Sequence, residues 1–331
     1  MSKAALTPLW HYVVRRALEA IPLILAVVTV NFIIIHLAPG DPAIYLAGQY
    51  GATPEYLESI RAELGLDKPL YEQFVIYISR MFRGDLGYSF VFRQPVWELI
   101  WSRLPPTILL ASTALVLASV AGIWIGVFSA RRAHSTLDSL SVTVSLIGYS
   151  IPSFWLAMML LLLFSLHLGL FPTGGLMSFG IGGAPNPLLD LADVAWHLIL
   201  PVLALSLQYL VLIARITRAG LLEELSEDYV LTALAKGLSR KVVAYKHALK
   251  NAMLPIVTVI GVQFGYIVAG TVVIETVFSW PGVGRLTFDA AMARDYPVLL
   301  GVLVVISIAV IIANLVTDLL YGTLDPRIRY R

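Results

Sequence analysis

Uninterrupted apolar runs of about 20 residues, long enough to cross a bilayer core of about 30 Å, recur along this chain and leave it few ways to fold. They fall at 18–37, 106–128, 140–168, 197–222, 252–278 and 298–320. The expectation is an all-α polytopic membrane protein with six transmembrane helices, because a helix satisfies its own backbone groups in lipid. Composition agrees: 58% of residues are hydrophobic, 13% are charged and the mean hydropathy is +0.82. The first run follows Arg15 and Arg16. It outruns the roughly 7–15-residue core of a signal peptide and reads as an uncleaved first span. Cysteine is absent, which removes disulfide frameworks and thiolate metal sites.

Six crossings put residues 1–17 and 323–331 on the same side. Arg15, Arg16, Arg131, Arg132, Arg215, Arg218, Lys236, Arg240, Lys241, Lys246, Lys250, Arg327 and Arg329 gather there. Most basic residues of the opposite side sit in the long segment 38–105, where charge steers topology least. The termini and the loop 223–251 are therefore expected in the cytoplasm, and 38–105 outside. That outer segment contains two amphipathic stretches. Pro54, Leu57, Ile60 and Leu64 lead to a stop at Gly65; Leu70, Phe74, Tyr77, Ile78 and Met81 form the stripe of the second. The core region 106–322 carries the other five spans.

Helix breakers and small residues mark where spans bend and touch. Pro152 falls inside the third run and should kink or split it. Gly122 and Gly126 are four apart, a pattern that allows close helix contact within the bundle. Asn31 and His36 read as interhelical hydrogen-bonding groups of span one. The glycine-rich stretch after Phe171 reads as a flexible outer loop. Gln208, Gln263 and Glu275 are the polar groups in or near later spans that could face a pathway or hold neighbouring helices.

The loop 223–251 is densely charged for so apolar a chain. Asp228 can cap a short helix by accepting backbone N–H bonds. Thr232, Ala233 and Ala235 keep part of its surface small, and Gly237 can take the left-handed conformation that ends it. Ser239 can cap a second helix with Val242, Tyr245, Leu249 and Ala252 on one stripe. A short helix with small side chains suits docking into a cleft of another protein. The same spacing also suits an ordinary connector between spans, and spacing alone leaves both open.

Several chemistries lack their motifs. Gly265 to Thr271 has two glycines but no lysine to reach a β- or γ-phosphate, so the chain itself should bind no ATP. No His-Glu-x-x-His occurs, and Gly148-Tyr149-Ser150 lacks the second glycine of a nucleophile elbow. Basic stretches interleaved with aromatics for nucleic acid are missing. These motifs give no reason to expect an enzyme. A self-contained secondary transporter would show an inverted repeat and paired intramembrane charges, and neither is visible.

The loop wording Ala-Lys-Gly-Leu-Ser, then His-Ala-Leu-Lys-Asn-Ala-Met-Leu-Pro, resembles the coupling loop of ABC importer permeases of the dipeptide, oligopeptide and nickel branch. Aligned on Gly237, the general form of that loop is kept at Ala233, Gly237 and Leu249. It departs at Leu231, Thr232, His247 and Lys250. Gly84-Asp85-Leu86-Gly87, Ile151-Pro152-Ser153-Phe154-Trp155 and the run from Glu275 to Gly282 extend the resemblance over most of the chain. The resemblance implies an ATPase-coupling loop that includes Asp228, Tyr229, Thr232, Ala233, Ala235, Lys236, Gly237, Leu238, His247 and Leu249. It also implies a second permease subunit in a heterodimer, two ATPase subunits that hold ATP and Mg, and an external substrate-binding protein. The setting is the inner or plasma membrane of a prokaryote, with alternating access and a peptide cargo. Relatives of the branch carry nickel, glutathione or oligosaccharides as alternatives.

Overall fold

The computed structural model describes residues 3–37, 53–89, 91–133, 135–178 and 187–324. Helices dominate it. In chain order they are α1 (Lys3–Leu37), α2 (Pro54–Leu64), α3 (Leu70–Phe82), α4 (Val96–Ala130), α5 (Thr136–Ser150), α6 (Ser153–Leu160), α7 (Pro187–Leu225), α8 (Asp228–Ala235), α9 (Arg240–Val242), α10 (Leu249–Gly270), α11 (Val272–Val277), α12 (Val283–Ala293) and α13 (Tyr296–Leu324). A π turn, Leu161–His167, continues α6, and another, Val243–Ala248, joins α9 to α10. One short antiparallel hairpin pairs Tyr88–Ser89 with Gln94–Pro95.

Among the described residues, three helices are long and apolar enough to cross a membrane: α4, Leu188–Leu225 within α7, and Tyr296–Thr317 within α13. The third run is split at Pro152 into α5 and α6, which meet at 94° and could make one further crossing together. The proline has no N–H to continue the ladder, and Ile151 before it is pushed into extended backbone. Leu18–Val30 of α1 is a shorter apolar stretch.

Two helix boundaries move from the expected ones. The second run starts helically at Val96 rather than at 106 and passes through Pro105 and Pro106. Its first turns are held by tertiary burial. Val96, Leu99 and Ile100 pack with Val283, Leu286, Ala290, Val298 and Val302, which outweighs the poor local propensity of the prolines. The fifth run is interrupted: α10 ends at Gly270, and α11 starts beyond Thr271.

The centre of the bundle is the contact of α4 with α7. A β-carbon on Gly122 would lie 2.8 Å from the Leu210 carbonyl oxygen, and one on Gly126 would lie 2.6 Å from that of Ala214. The two glycines thus let the backbones approach directly, as the small-residue spacing predicted. Gly261 of α10 seats Thr317 of α13 in the same way. Leu110, Ala114, Ala204, Leu205, Phe278 and Trp280 form a continuous core between α4, α7 and the turn after α11.

Polar staples fix the ends of these helices. At one end, Arg218 of α7 gives both Nε and Nη2 to Asp138 of α5, each at 2.7 Å, and Ser129 of α4 donates to the same carboxylate. Asp138 is buried while Arg218 keeps an exposed edge. Asp138→Ala is expected to destabilise the protein by about 2 kcal/mol after allowance for that solvent edge. Asp138→Ala combined with Arg218→Met should recover part of the loss, because no buried cation is then left unpaired. Thermal unfolding in detergent checks this, and an equal or larger loss in the double variant would refute it.

At the other end, Ser89 of the hairpin donates to buried Asp295 at 2.5 Å. The Asp295 carboxylate also caps α13 by accepting from the Val298 N–H at 3.4 Å. His36 of α1 binds Gln73 of α3 at 3.1 Å through Nε2, and Phe32 meets Phe74 edge to face and stacks against Tyr77. The expected interhelical role of His36 is thus met by the amphipathic helix α3. The side chain of Asn31 and the 38–42 turn lie outside the described residues.

Candidate functional site

Residues 223–251 fold as α8, a turn, α9 and a π turn that enters α10. Helix α8 is capped differently from the expectation. Its N-cap is Glu227, in extended backbone and without a side-chain cap bond, and Asp228 is the first helical residue. There the Asp228 carboxylate favours the positive end of the helix dipole rather than bonding a specific N–H. The C-terminus follows the prediction. Gly237 has φ +83°, its N–H donates to Leu234 O at 2.9 Å, and the Leu238 N–H donates to Ala233 O at 3.3 Å. These paired bonds form a Schellman motif, which needs a residue at positive φ and explains the glycine.

The faces of α8 are now distinct. Val230 is buried against the chain, and Ala233 and Leu234 are half-buried. Leu231 is 66% exposed. Thr232, Ala235, Lys236, Gly237 and Leu238 are exposed beside it. Leu231 and Ala235, four apart on α8, therefore form an apolar and small strip that points away from the protein, with exposed Leu238 just past the helix end. Leu231 was legible in the sequence only as a departure from a familiar wording, and its exposure required the fold.

Tyr229 anchors the opposite side. Its hydroxyl donates to Glu224 Oε2 at 2.7 Å, and Asn251 Nδ2 donates to the same oxygen at 3.2 Å. Burial, with the neighbouring Glu224 carboxylate, pushes the Tyr229 phenol up to about 12. It remains a donor at any physiological pH. The end of α7, α8 and the start of α10 are thereby tied into one unit.

The second half of the loop corrects the expected stripe. Ser239 caps α9 by accepting from the Val242 N–H at 3.4 Å, as predicted. Val242 and Tyr245 are exposed, however, whereas Val243, Ala244, Ala248 and Ala252 are buried. The π turn adds a residue per turn and rotates the buried face away from a plain α-helical register. Leu249 packs with Val127, Ala130, Leu221 and Ala252. His247 is half-buried on the π turn. Tyr245 accepts from Arg131 Nη1 at 3.1 Å, with the guanidinium 5.1 Å from its ring centre, which joins the loop to the end of α4.

Glu275 is a staple, and the run that contains it closes on itself. Its carboxylate is fully buried. It accepts from Thr107 Oγ1 at 2.8 Å and from the Arg285 N–H at 2.9 Å, at the start of α12. Thr107 in turn accepts from the Val283 N–H at 2.8 Å. Trp280, also fully buried, donates from Nε1 to Pro106 O at 2.9 Å. Gly282 must lack a β-carbon, because one would lie 2.3 Å from Glu275 Oε2. Gly174 approaches Phe278 O so closely that no side chain fits, and the Gly175 N–H donates to that oxygen at 2.9 Å. The glycines read as a flexible loop instead clasp the turn after α11. Among the described residues, no hydrogen bond joins Gln208 or Gln263 to Glu275; both amides are half-buried on α7 and α10.

With this geometry in place, the comparisons with known proteins fall into line. Residues 122–330 match the binding-protein-dependent transport system inner membrane component, and residues 9–111 match the N-terminal part of such membrane components. The chain is 42% identical over 336 residues to the dipeptide transport system permease protein DppB of Escherichia coli strain K12, covering 97% of this chain and 99% of that one. It is 42% identical over 321 residues to the glutathione transport system permease protein GsiC of the same strain, with the same coverage. A solved inward-facing structure of the MetNI methionine ABC transporter shares the fold at TM-score 0.54 and 16% identity, over 69% of this chain and 97% of that one.

Proposed function

This chain belongs to the family of binding-protein-dependent transport system inner membrane components, and from that premise we propose that it forms half of the translocation pathway of an ATP-driven importer of short peptides. The observation that carries the reading is the outward pair Leu231 and Ala235 on α8, which ends at a left-handed glycine followed by exposed Leu238. Its neighbours Asp228, Thr232, Lys236 and the half-buried Ala233 complete the surface that an ATPase subunit would grip. His247 and Leu249 lie behind it, as supports that pass its motion into α10. In this reading two ATPase subunits hold the ATP and Mg, a second permease completes the pathway, and an external binding protein delivers cargo. The reading has the chain cross the inner or plasma membrane of a prokaryotic cell six times, with both termini and 223–251 in the cytoplasm. The dipeptide and glutathione permeases named above support small peptides as cargo.

Topology and energy source are both testable. Ser59 and Ser239 are exposed, so cysteines placed there report the side of the membrane rather than burial. In intact cells an impermeant thiol reagent should label Ser59→Cys and spare Ser239→Cys; labelling at Ser239→Cys would invert the arrangement. Vesicles holding the chain with its partner subunits should take up dialanine, with glutathione as the second cargo, only when ATP and binding protein are supplied. Uptake by the chain alone, driven by an ion gradient, would replace this reading with a secondary transporter.

A further inference from the structure

A cavity of about 300 Å³ lies between α5, α4 and the second half of α7, lined by Ser141, Ser145 and Tyr149 on one wall and Arg215 and Arg218 on the other. The three hydroxyl residues are four apart on α5, so they line one face of that helix. Their wall faces the two guanidinium groups.

The two arginines differ in what they have left to give. Arg218 is engaged along its Nε–Nη2 edge with Asp138, which neutralises its charge. Arg215 is exposed, and it makes no hydrogen bond or ion pair among the described residues. None of the residues that line the cavity is an acid. The cavity therefore carries one uncompensated positive charge. A charged side chain on an apolar helix is unfavourable unless it meets water or a counter-charge. A planar guanidinium beside a row of hydroxyls suits a single oxyanion, held by charge-assisted bonds from the fork and by neutral bonds from the row.

We propose that this cavity is a binding site for one monoanionic oxyanion group, with Arg215 as its cation and Ser145 and Tyr149 as hydroxyl donors. Two sources have this chemistry: the phosphodiester of an anionic lipid and the terminal carboxylate of a peptide cargo. The second source rests on the importer reading above; the first does not.

The test is native mass spectrometry of the purified full chain in neutral detergent, with two matched probe pairs. One pair is phosphatidylglycerol against phosphatidylcholine, and the other is dialanine against dialanine amide, both N-acetylated so that the acid is a monoanion and the amide is neutral. At least one anionic probe should be retained about tenfold better than its neutral match, which corresponds to about 1.4 kcal/mol. Arg215→Gln should erase that preference, and Arg215→Lys should restore part of it. If Arg215→Gln does not fold, Ser145→Ala with Tyr149→Phe decides, because it should weaken retention without touching the charge. A preference for the lipid alone assigns the site to the membrane and leaves the peptide reading to the uptake experiment. A preference for dialanine assigns it to cargo. No preference in the parent, or a preference unchanged in the variants that fold, overturns the site.

Discussion

Ala235→Glu is expected to leave the protein in the membrane at its normal level while abolishing its co-purification with ATPase subunits and its ATP-driven uptake. Ala235 is exposed on the outward face of α8, one turn from Leu231, so the new carboxylate meets water in the isolated chain. It becomes unfavourable only when a partner closes over it and desolvates it, which costs several kcal/mol without a counter-charge. Association weaker by about 3 kcal/mol is a loss of more than a hundredfold. Gly237→Val should act on the same interface from the backbone side. A β-branched residue at φ +83° is strained by about 1–3 kcal/mol, and relief of the strain would unwind the Schellman turn and re-aim the strip. No atom lies within 4 Å of a β-carbon at Gly237, so the defect would come from conformation and not from a clash. Lys246→Ala, on the exposed side of the π turn, serves as the mild control. If Ala235→Glu and Gly237→Val both assemble and transport like the parent, the loop is an ordinary connector.

Gly282→Ala should do the opposite, removing the folded protein rather than its coupling. The added methyl would sit 2.3 Å from Glu275 Oε2. That carboxylate cannot retreat, since Thr107 and the Arg285 N–H hold it in a site with no solvent access. Overpacking of this kind costs about 3 kcal/mol, and the displaced acceptor would leave buried donors unpaired in addition. The expected outcome is a low yield and early aggregation when the detergent-solubilised variant is heated and followed by size-exclusion chromatography. Glu275→Gln keeps the shape but makes one end of the side chain a donor facing the N–H of Arg285, and it should fall between the parent and Gly282→Ala. Normal thermal behaviour of Gly282→Ala would show that the staple around Glu275 does not hold this end of the bundle.

The helical class, the break at Pro152 and the glycine stops at Gly65 and Gly237 were legible in the residues alone. Those are short-range matters. A run of about 20 apolar residues has one economical backbone solution in lipid; Pro152 cannot donate to the ladder; Gly65 and Gly237 take the left-handed turn that other residues resist. The close contacts of Gly122 and Gly126 were likewise legible from their spacing. Packing settled what depends on distant partners. It started α4 at Val96, because Val283 and Val298 bury its first turns. It separated α11 from α10, gave Glu275 its neighbour-holding role as a staple beneath Gly282, and exposed Leu231. The π turn at Val243–Ala248 rotated the stripe expected from Val242 and Tyr245, a shift that three- and four-residue periodicity does not encode. Arg215 and the hydroxyl row of α5 are far apart in the chain, and their shared cavity exists only because α7 packs between α4 and α5.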